Sequence, residues 1–254
     1  MAARLFGVPA SHPCAAVERA FALKGVAVRR IDLPPPLHAP IMKARFGRPT
    51  VPCVVFEDGE KVAGSLNVMR ALDARAPGPP LYPTEHDRRA AVEQAERWGE
   101  EVLQPLARRL AWAALVRKPA AVASYSGGAR LALPTPRAVV RAIAPGLAAI
   151  QSRRWGARGA QVGADLAALE AHLDQVDRWI ADGVLGAPEA NAADLQIGAS
   201  LRLLLTLGDL EPRLRAPRRR AGAALVPRLA RRDAGGRVAS LISSARRRAA
   251  GRPA

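Results

Sequence analysis

The sequence predicts two units of different fold class, an α/β unit at the N-terminus and an all-helical unit after it. Over the first eighty residues, short apolar runs alternate with helical patterns, which is typical of a small α/β domain. Residues 77–83 then contain four prolines, which interrupt regular structure. Beyond them, apolar residues recur at helical spacing, so the sequence predicts only helices there.

The α/β unit is predicted to begin with a strand, a helix and a second strand. Apolar residues favour strands at 2–6 and 26–31, and residues 13–24 carry an apolar stripe at helical spacing. Gly25 follows the helix, where glycine is favoured just past a C-terminus. These three segments form a βαβ unit.

The rest of the α/β unit is predicted as a helix, a hairpin and a second helix. A weak helical pattern covers residues 37–45. Residues 53–56 and 61–63 favour a hairpin around Asp58 and Gly59, because Asp-Gly is a strong turn signal. Ser65 is suited to capping a helix over 65–76, which ends before Pro77.

The helical unit is predicted to open with a long helix. Thr84 and Asp87 are spaced to cap it, and it continues to about residue 117. Pro105 should kink this helix, because proline has no N–H and its ring clashes with the preceding turn. Thr135 and Pro136 begin another helix.

Two further helices follow in the C-terminal half. Apolar residues recur every three or four positions over 166–180, a buried stripe that ends before Gly183. Asn191 and Asp194 precede the apolar residues 195–207. Their spacing predicts a capping box, in which the Asn191 side chain accepts from the Asp194 amide and the Asp194 carboxylate accepts from the Asn191 amide.

The composition is that of a globular chain with a very basic C-terminal segment. The 254 residues are 49% hydrophobic and 24% charged, with a formal net charge of +17. Residues 212–254 hold 13 arginines and one acidic residue, whereas residues 1–211 carry only +5. The tail has no aromatic residue, so it offers little to pack and nothing to stack on bases. It is predicted to be a mostly disordered appendage.

The tail also has two other interpretations. Its arginine runs at 218–220 and 246–248 could bind the phosphates of nucleic acid or an anionic membrane. Its Arg, Ala, Gly and Pro content is also what a coding-frame change after about residue 210 would give.

No span of twenty residues is free of charge, so we expect no membrane-spanning segment. The N-terminus lacks the apolar core of a secretion signal. Cys14 and Cys53 are too few for a disulfide framework and do not pair as zinc ligands. We therefore expect a cytoplasmic protein with free thiols and no metal site.

Three short motifs complete the pattern: SHPC at 11–14 before the first helix, TVP at 50–52 before the hairpin, and GS at 64–65 opening the third helix. With the βαβ and αββα order, the proline segment and the capping box, residues 3–210 resemble a cytosolic glutathione S-transferase. The resemblance implies a thioredoxin-like α/β domain at 1–77, a linker at 78–83 and an all-helical domain at 84–211, followed by the tail at 212–254.

The resemblance implies that Ser11 is the catalytic residue that faces the glutathione sulfur. Cys14 then stands at the second cysteine of a thioredoxin-like CxxC whose first cysteine is replaced by Ser11. The alternative for Ser11 is a plain N-cap of the first helix, with His12 as a solvent-exposed neighbour. Cys14 is a candidate redox thiol at a helix N-terminus, and its alternative is a small packed residue.

The resemblance also implies a glutathione-binding set. The Val51 backbone, before Pro52, would pair with the cysteinyl part of glutathione, and Ser65 would bind the γ-glutamyl carboxylate. Two positions depart from the family pattern, since Gly64 replaces a usual acidic residue and Thr50 replaces a frequent lysine. Arg48 could replace the lost cation, or it could be a solvated surface charge.

These residues predict a glutathione transferase that adds the thiol of its co-substrate, glutathione, to an unknown small electrophile held between the domains. A non-catalytic binding module of the same fold is the first alternative, and a polyanion-binding protein acting through its tail is the second. The resemblance further implies a homodimer. No membrane partner is expected, and nucleic acid would bind only through the tail.

Overall fold

The N-terminal part of the chain forms a four-stranded sheet with three helices. The structure, a computed structural model, describes residues 2–35, 37–125 and 136–214. The elements of this part are β1 (Ala3–Gly7), α1 (His12–Leu23), β2 (Val28–Asp32), α2 (His38–Phe46), β3 (Cys53–Val55), β4 (Lys61–Ala63) and α3 (Ser65–Arg75).

The sheet brings one end of each of three strands together. Its strand order is β2-β1-β3-β4, with β1 parallel to β2 and antiparallel to β3. Phe6 pairs with Cys53, and Cys53 pairs with Ala63. The end of β1, the start of β3 and the end of β4 therefore meet at one end of the sheet. Helices α1 and α3 begin just after β1 and β4, so their N-termini lie at this end too.

The elements described after residue 85 are all helical. They are α4 (His86–Trp98), a π-helical turn (Gly99–Leu103), α5 (Gln104–Arg117), a 3₁₀ turn (Pro119–Ala121), α6 (Val122–Tyr125), α7 (Arg137–Arg154), α8 (Gly159–Ala181), α9 (Ala192–Leu205) and α10 (Glu211–Leu214). An α/β unit followed by a helical unit confirms the predicted fold class. The exact domain boundaries remain predictions.

One apolar core extends through both units. Leu5 and Phe21 from the α/β unit belong to the same cluster as Leu103, Leu169 and Ile197 from the helical unit. Helix α9 is central to this core, and α1 packs directly against it. Burial of this much apolar surface across the junction holds the two units together.

The start of α9 has the capping box that its sequence predicts. The Asp194 amide donates to Asn191 Oδ1 at 3.0 Å, and the Asn191 amide donates to Asp194 Oδ2 at 2.9 Å. Asp194 Oδ1 also accepts from the Gly186 amide at 2.9 Å. These bonds satisfy backbone donors in the interior, where an unpaired N–H would be costly. Both residues therefore have a structural role.

Two helix caps differ from the sequence predictions. The cap of α4 is Glu85 and not Thr84, since the Glu85 carboxylate accepts from the amides of Asp87 and Arg88. The cap of α3 is Gly64, at φ 92°, so Ser65 is the first residue of the helix instead of its cap. A side chain is strained at that φ, which explains why glycine occupies the position.

The break in the long helix also differs in position. Instead of a kink at Pro105, the helix changes to π geometry over Gly99–Leu103, and Pro105 lies in the first turn of α5. Proline has no N–H to donate to the preceding turn, so Pro105 leaves one carbonyl of the π-helical turn without its usual α-helical partner.

Among the described residues, no helix combines the length and apolar character needed to cross a membrane. Thr135 and residues 215–254 lie outside the described residues, together with Pro36 and the rest of 126–135. The predictions about the arginine-rich tail, including its disorder and polyanion binding, therefore remain predictions.

Candidate functional site

Ser11 is the N-cap of α1, at the end of the sheet where β1 ends. Its Oγ accepts a hydrogen bond from the Cys14 amide at 3.4 Å, and its side chain is half-buried. A hydroxyl carries one donor beside its two acceptor lone pairs. The capping bond uses only an acceptor site, so capping and donation to an external anion are compatible at Ser11.

Val51 offers a backbone edge at the same end of the sheet. A cis peptide bond joins it to Pro52, whose carbonyl accepts from the Gly64 amide at 2.9 Å. Within the described residues, no hydrogen bond uses the Val51 backbone. Its N–H and C=O can therefore pair with an extended ligand, in the manner of an added strand.

The N-terminus of α3 lies beside this edge and has a positive environment. Ser65 is 2% exposed, and the first amides of a helix have no partners inside the helix. Arg48 extends over the same point, with its Nη1 3.5 Å from the place where a Cβ on Gly64 would lie. Ser65 and Arg48 together suit a carboxylate.

Both cysteines are buried and free. Burial raises the pKa of the Cys14 thiol to about 11, although Arg30 and a hydrogen bond with Ser11 act in the opposite direction. Burial raises the pKa of Cys53 to about 12. A thiol that stays protonated at neutral pH is a poor nucleophile, which favours packing over redox chemistry at Cys14.

His12 is buried and not the solvent-exposed neighbour of the N-cap alternative. It is 7% exposed, and its ring hydrogen-bonds the backbone of Gln104 on α5. Burial and the charge of Arg108 lower its pKa to about 3, so the ring is neutral at physiological pH. His12 thus joins the start of α1 to α5, immediately beside Ser11.

The π-helical turn places a carboxylate near Arg48. Burial raises the pKa of Glu100, while the charges of Arg48, Arg70 and Arg108 lower it. Glu100 is therefore surrounded by cations from both units. Its position supplies an acidic group near the α3 N-terminus, where Gly64 has none.

Arg108 lies two helical turns after Glu100, on α5. Its Nη2 donates to Gln104 Oε1 at 2.8 Å, and its guanidinium lies 4.3 Å from the centre of the Trp155 ring. Burial and the neighbouring charge of Arg109 lower the pKa of Arg108 to about 10, so it remains a cation at neutral pH.

Sequence reasoning did not predict Glu100, Gln104 or Arg108 as site residues. They follow Ser11 by about ninety residues, and no local motif marks them. Only the packing of α1 against the helical unit brings them near Ser11. The predicted residues Ser11, Val51, Pro52, Ser65 and Arg48 do lie at one end of the sheet, whereas Asn191 and Asp194 lie apart in the core.

The arrangement has the groups needed to hold a zwitterionic peptide and activate a thiol. It offers a hydroxyl donor, an open backbone edge, a helix N-terminus with a cation, and a nearby carboxylate. In the described part of the chain, no group of three His, Cys, Asp or Glu side chains is placed to hold a metal ion.

The sequence matches one family model, described as glutathione S-transferase, N-terminal domain, over residues 5–80. None of the curated proteins compared with the chain matches it. The matched segment contains the predicted catalytic residue Ser11, the candidate redox thiol Cys14, and the predicted glutathione-binding residues Arg48, Val51, Pro52 and Ser65.

Solved structures share the fold over most of the chain. A β-etherase from Sphingobium sp. strain SYK-6 is 15% identical, with a TM-score of 0.66 over 92% of this chain and 97% of its own. A glutathione S-transferase from Rhodospirillum rubrum F11 is 20% identical, with a TM-score of 0.58 over 92% and 90%. A maleylacetoacetate isomerase from Methylobacterium extorquens AM1, solved with malonate and glutathione, is 18% identical, with a TM-score of 0.56 over 92% and 95%.

Sequence and fold therefore agree. Residues 5–80 belong to the glutathione S-transferase N-terminal domain family, and the chain as a whole has the glutathione S-transferase-like fold, with a thioredoxin-like α/β unit followed by a helical unit.

Proposed function

We propose that the protein is a glutathione transferase that activates the glutathione thiol at Ser11. The observation that carries the proposal is the Ser11 hydroxyl, whose capping bond uses only an acceptor site, at the N-terminus of α1 and at the same end of the sheet as the Val51 edge and the α3 N-terminus. In the reaction, the thiol proton leaves to solvent, the sulfur forms a bond to an electrophilic carbon, and the leaving group on that carbon departs with the bonding electrons.

The energetics of thiol activation are adequate. A thiol with a pKa of roughly 8.5 must drop by about two units to be mainly ionised at neutral pH, which requires about 2.7 kcal/mol. A helix N-terminus contributes roughly 0.3–1 kcal/mol to an adjacent anion. A hydrogen bond to a charged group contributes about 1.5–3 kcal/mol. The nearby cation Arg108 acts in the same direction, so the site can supply the required shift.

The two ends of the γ-glutamyl group have matching partners. Its carboxylate would accept from the amides at the α3 N-terminus and from Arg48, and its ammonium group would face Glu100. The cysteinyl backbone would pair with Val51 and place its sulfur near Ser11. Glutathione bound in the isomerase structure of the same fold supports glutathione as the co-substrate here.

The wider setting of the reaction is also part of the proposal. Two reduced, buried cysteines suit the cytoplasm. The resemblance suggests a homodimer in which each subunit contains a site between an N-terminal domain at 1–77 and a helical domain at 84–211. The fold is shared by a β-etherase and an isomerase, so the electrophile is not fixed by the fold alone.

Replacement of Ser11 tests the mechanism directly. In Ser11→Ala, kcat/KM with an activated chloronitroarene should fall about 10- to 100-fold at pH 7, because the donor to the thiolate is lost. The pKa of the bound glutathione thiol, read from thiolate absorbance, should rise. Ser11→Thr, which keeps the hydroxyl and the capping oxygen, is the matched control and should retain most activity.

Three results separate the alternatives. Unchanged turnover in Ser11→Ala would remove Ser11 from the mechanism. Calorimetric binding of glutathione without turnover of any electrophile would instead support the non-catalytic binding module. Absence of both binding and turnover would reject glutathione as the co-substrate.

A further inference from the structure

Arg108 is a half-buried cation whose charge is favoured by the Glu100 carboxylate but has no ion-pair partner in contact among the described residues. Within the described part of the chain it forms no ion pair, whereas Arg109 beside it makes a bidentate pair with Asp165, with both N–O distances 2.7 Å. Burial opposes its charge, as the lowered pKa shows. A cation that is partly removed from water gains most from an anionic ligand.

The surroundings of Arg108 fix its orientation and leave donors available. The ring of Trp155 covers one face of the guanidinium at 4.3 Å, and one Nη2 proton is donated to Gln104. A guanidinium has five N–H donors along the edge of its plane, and the Gln104 bond engages only one of them. Such an edge binds a carboxylate with two parallel hydrogen bonds.

Arg108 also lies close to His12, the neighbour of Ser11. The Gln104 backbone is hydrogen-bonded to His12, the residue after Ser11, and the charge of Arg108 acts on the same His12 ring. The charge of Arg154, at the end of α7, lowers the pKa of His38 on α2. Helix α2 and the end of α7 therefore lie close to each other. The ligand of Arg108 would therefore lie between the two units, beside Ser11.

We propose that Arg108, oriented by Trp155 and Gln104, binds a carboxylate of the electrophilic substrate, so that the enzyme prefers anionic acceptors with a flat apolar body. This inference rests on the proposed transferase function. The residues suited to glutathione, Arg48 and Ser65, lie at the α3 N-terminus, whereas Arg108 lies on a helix of the other unit. Glutathione also has a glycyl carboxylate, and the experiment separates that source from the acceptor.

The test uses two acceptors that share one chlorodinitrophenyl ring, the anion 4-chloro-3,5-dinitrobenzoate and its neutral methyl ester. In both, the glutathione sulfur bonds to the ring carbon that carries chlorine, chloride leaves with the bonding electrons, and the thiol proton goes to solvent. Division of each rate by the uncatalysed rate removes the difference in intrinsic reactivity. The wild-type chain should then favour the carboxylate over the ester.

The variant Arg108→Met keeps the long side chain and removes the charge. We expect kcat/KM for the carboxylate to fall at least about tenfold more than for the ester, the loss typical of a charged hydrogen bond. Arg108→Lys keeps the charge without the planar fork and should recover part of the preference. It also serves as the second variant should Arg108→Met fail to fold.

Arg117 supplies the matched control. It is exposed at the end of α5, about 13.5 Å further along the same helix than Arg108. In Arg117→Met, both rates and their ratio should remain within about twofold of wild type, since the removed charge lies far from the site.

Each outcome of these measurements either supports or overturns the proposed role of Arg108. Equal losses for the two acceptors in Arg108→Met would overturn it, and so would a rise confined to the KM for glutathione, which would assign Arg108 to the glycyl carboxylate. If the wild-type chain turns over neither these acceptors nor any other electrophile, the transferase function fails separately. Calorimetry then decides the inference, which requires that 3,5-dinitrobenzoate bind more tightly than its methyl ester and lose that advantage in Arg108→Met.

Discussion

Glu96 is a carboxyl group buried where the two units meet. Its Oε1 accepts from the Tyr82 hydroxyl at 2.8 Å, and Arg70 of α3 lies 3.4 Å from its Oε2. Burial raises the pKa of Glu96 to about 7, against the opposing effects of the Tyr82 bond and the Arg70 charge. Glu93 and Glu100 on neighbouring turns raise it further. The group therefore titrates in the physiological range.

The raised pKa makes stability depend on pH with a defined sign. The folded chain holds the Glu96 proton up to about pH 7, whereas the unfolded chain releases it near pH 4.5. The free energy of unfolding should therefore fall between these values as pH rises, by at most about 3 kcal/mol. Glu96→Gln should remove this decline, measured by urea unfolding at several pH values.

Glu93 provides the control for that measurement, because it lies one turn earlier on α4 and pairs with Arg89 near the surface. Glu93→Gln should keep most of the decline between pH 4.5 and 7, because burial is the largest cause of the raised Glu96 pKa and the Glu93 charge is the smallest. A Glu96→Gln variant with the wild-type pH profile would contradict the assignment.

Single residues also show what a sequence can indicate about a site. Ser11, Val51 and Ser65 could be identified because short motifs and their order carry them. Short motifs do not indicate the exposure of a side chain, because exposure depends on packing partners that are distant in the chain. His12 is buried by α5, and Arg108 lies near Ser11 for the same reason. No local pattern contains that information.

At the scale of elements, the π-helical turn packs closely against α9 at Gly99, which has no side chain. A Cβ at this position would lie 2.9 Å from Ile197 Cγ1 and 3.2 Å from Gln196 Cγ. Gly99→Ala should therefore destabilise the fold by about 1–3 kcal/mol through overpacking. It should also weaken glutathione binding, because Glu100 is the next residue. Denaturant unfolding and calorimetry measure the two effects.

Gly163 of α8 is the matched control, since a Cβ there would meet nothing within 4 Å. Gly163→Ala should stabilise the protein by roughly 0.5–1 kcal/mol, the usual gain of alanine over glycine inside a helix. Similar changes in both variants would show that the Gly99 contact is not restrictive.

The elements that were predicted well are those with local causes. The capping box of α9 needs only Asn191 and Asp194 at the right spacing, and the hairpin needs only its Asp-Gly turn. The π-helical turn was not predicted, because its close packing against Ile197 involves a helix about a hundred residues away. Pro105 indicated an irregularity nearby, but not its geometry.

At the scale of the molecule, most of the net positive charge lies in a different part of the sequence from the proposed site. Residues 1–211 carry +5 of the total +17, and every residue of the proposed site lies within them. The cations that matter to the proposed chemistry are those placed by the fold, namely Arg48, Arg70 and Arg108. Net charge alone would have suggested a nucleic-acid partner, whereas the function proposed for this chain is chemistry on small molecules.

Dimerisation is the last prediction, and it concerns the whole molecule. The resemblance suggests pairing through the α/β unit and α4, whose face with Ala90, Gln94 and Arg97 is exposed. Light scattering of the full chain at high salt, which screens the basic tail, should give twice the 26.9 kDa chain mass. Ala90→Arg places like charges in a two-fold interface and should shift the protein to monomer. Ala142→Arg, on exposed α7, should remain dimeric. A wild-type monomer at micromolar concentration would reject the dimer.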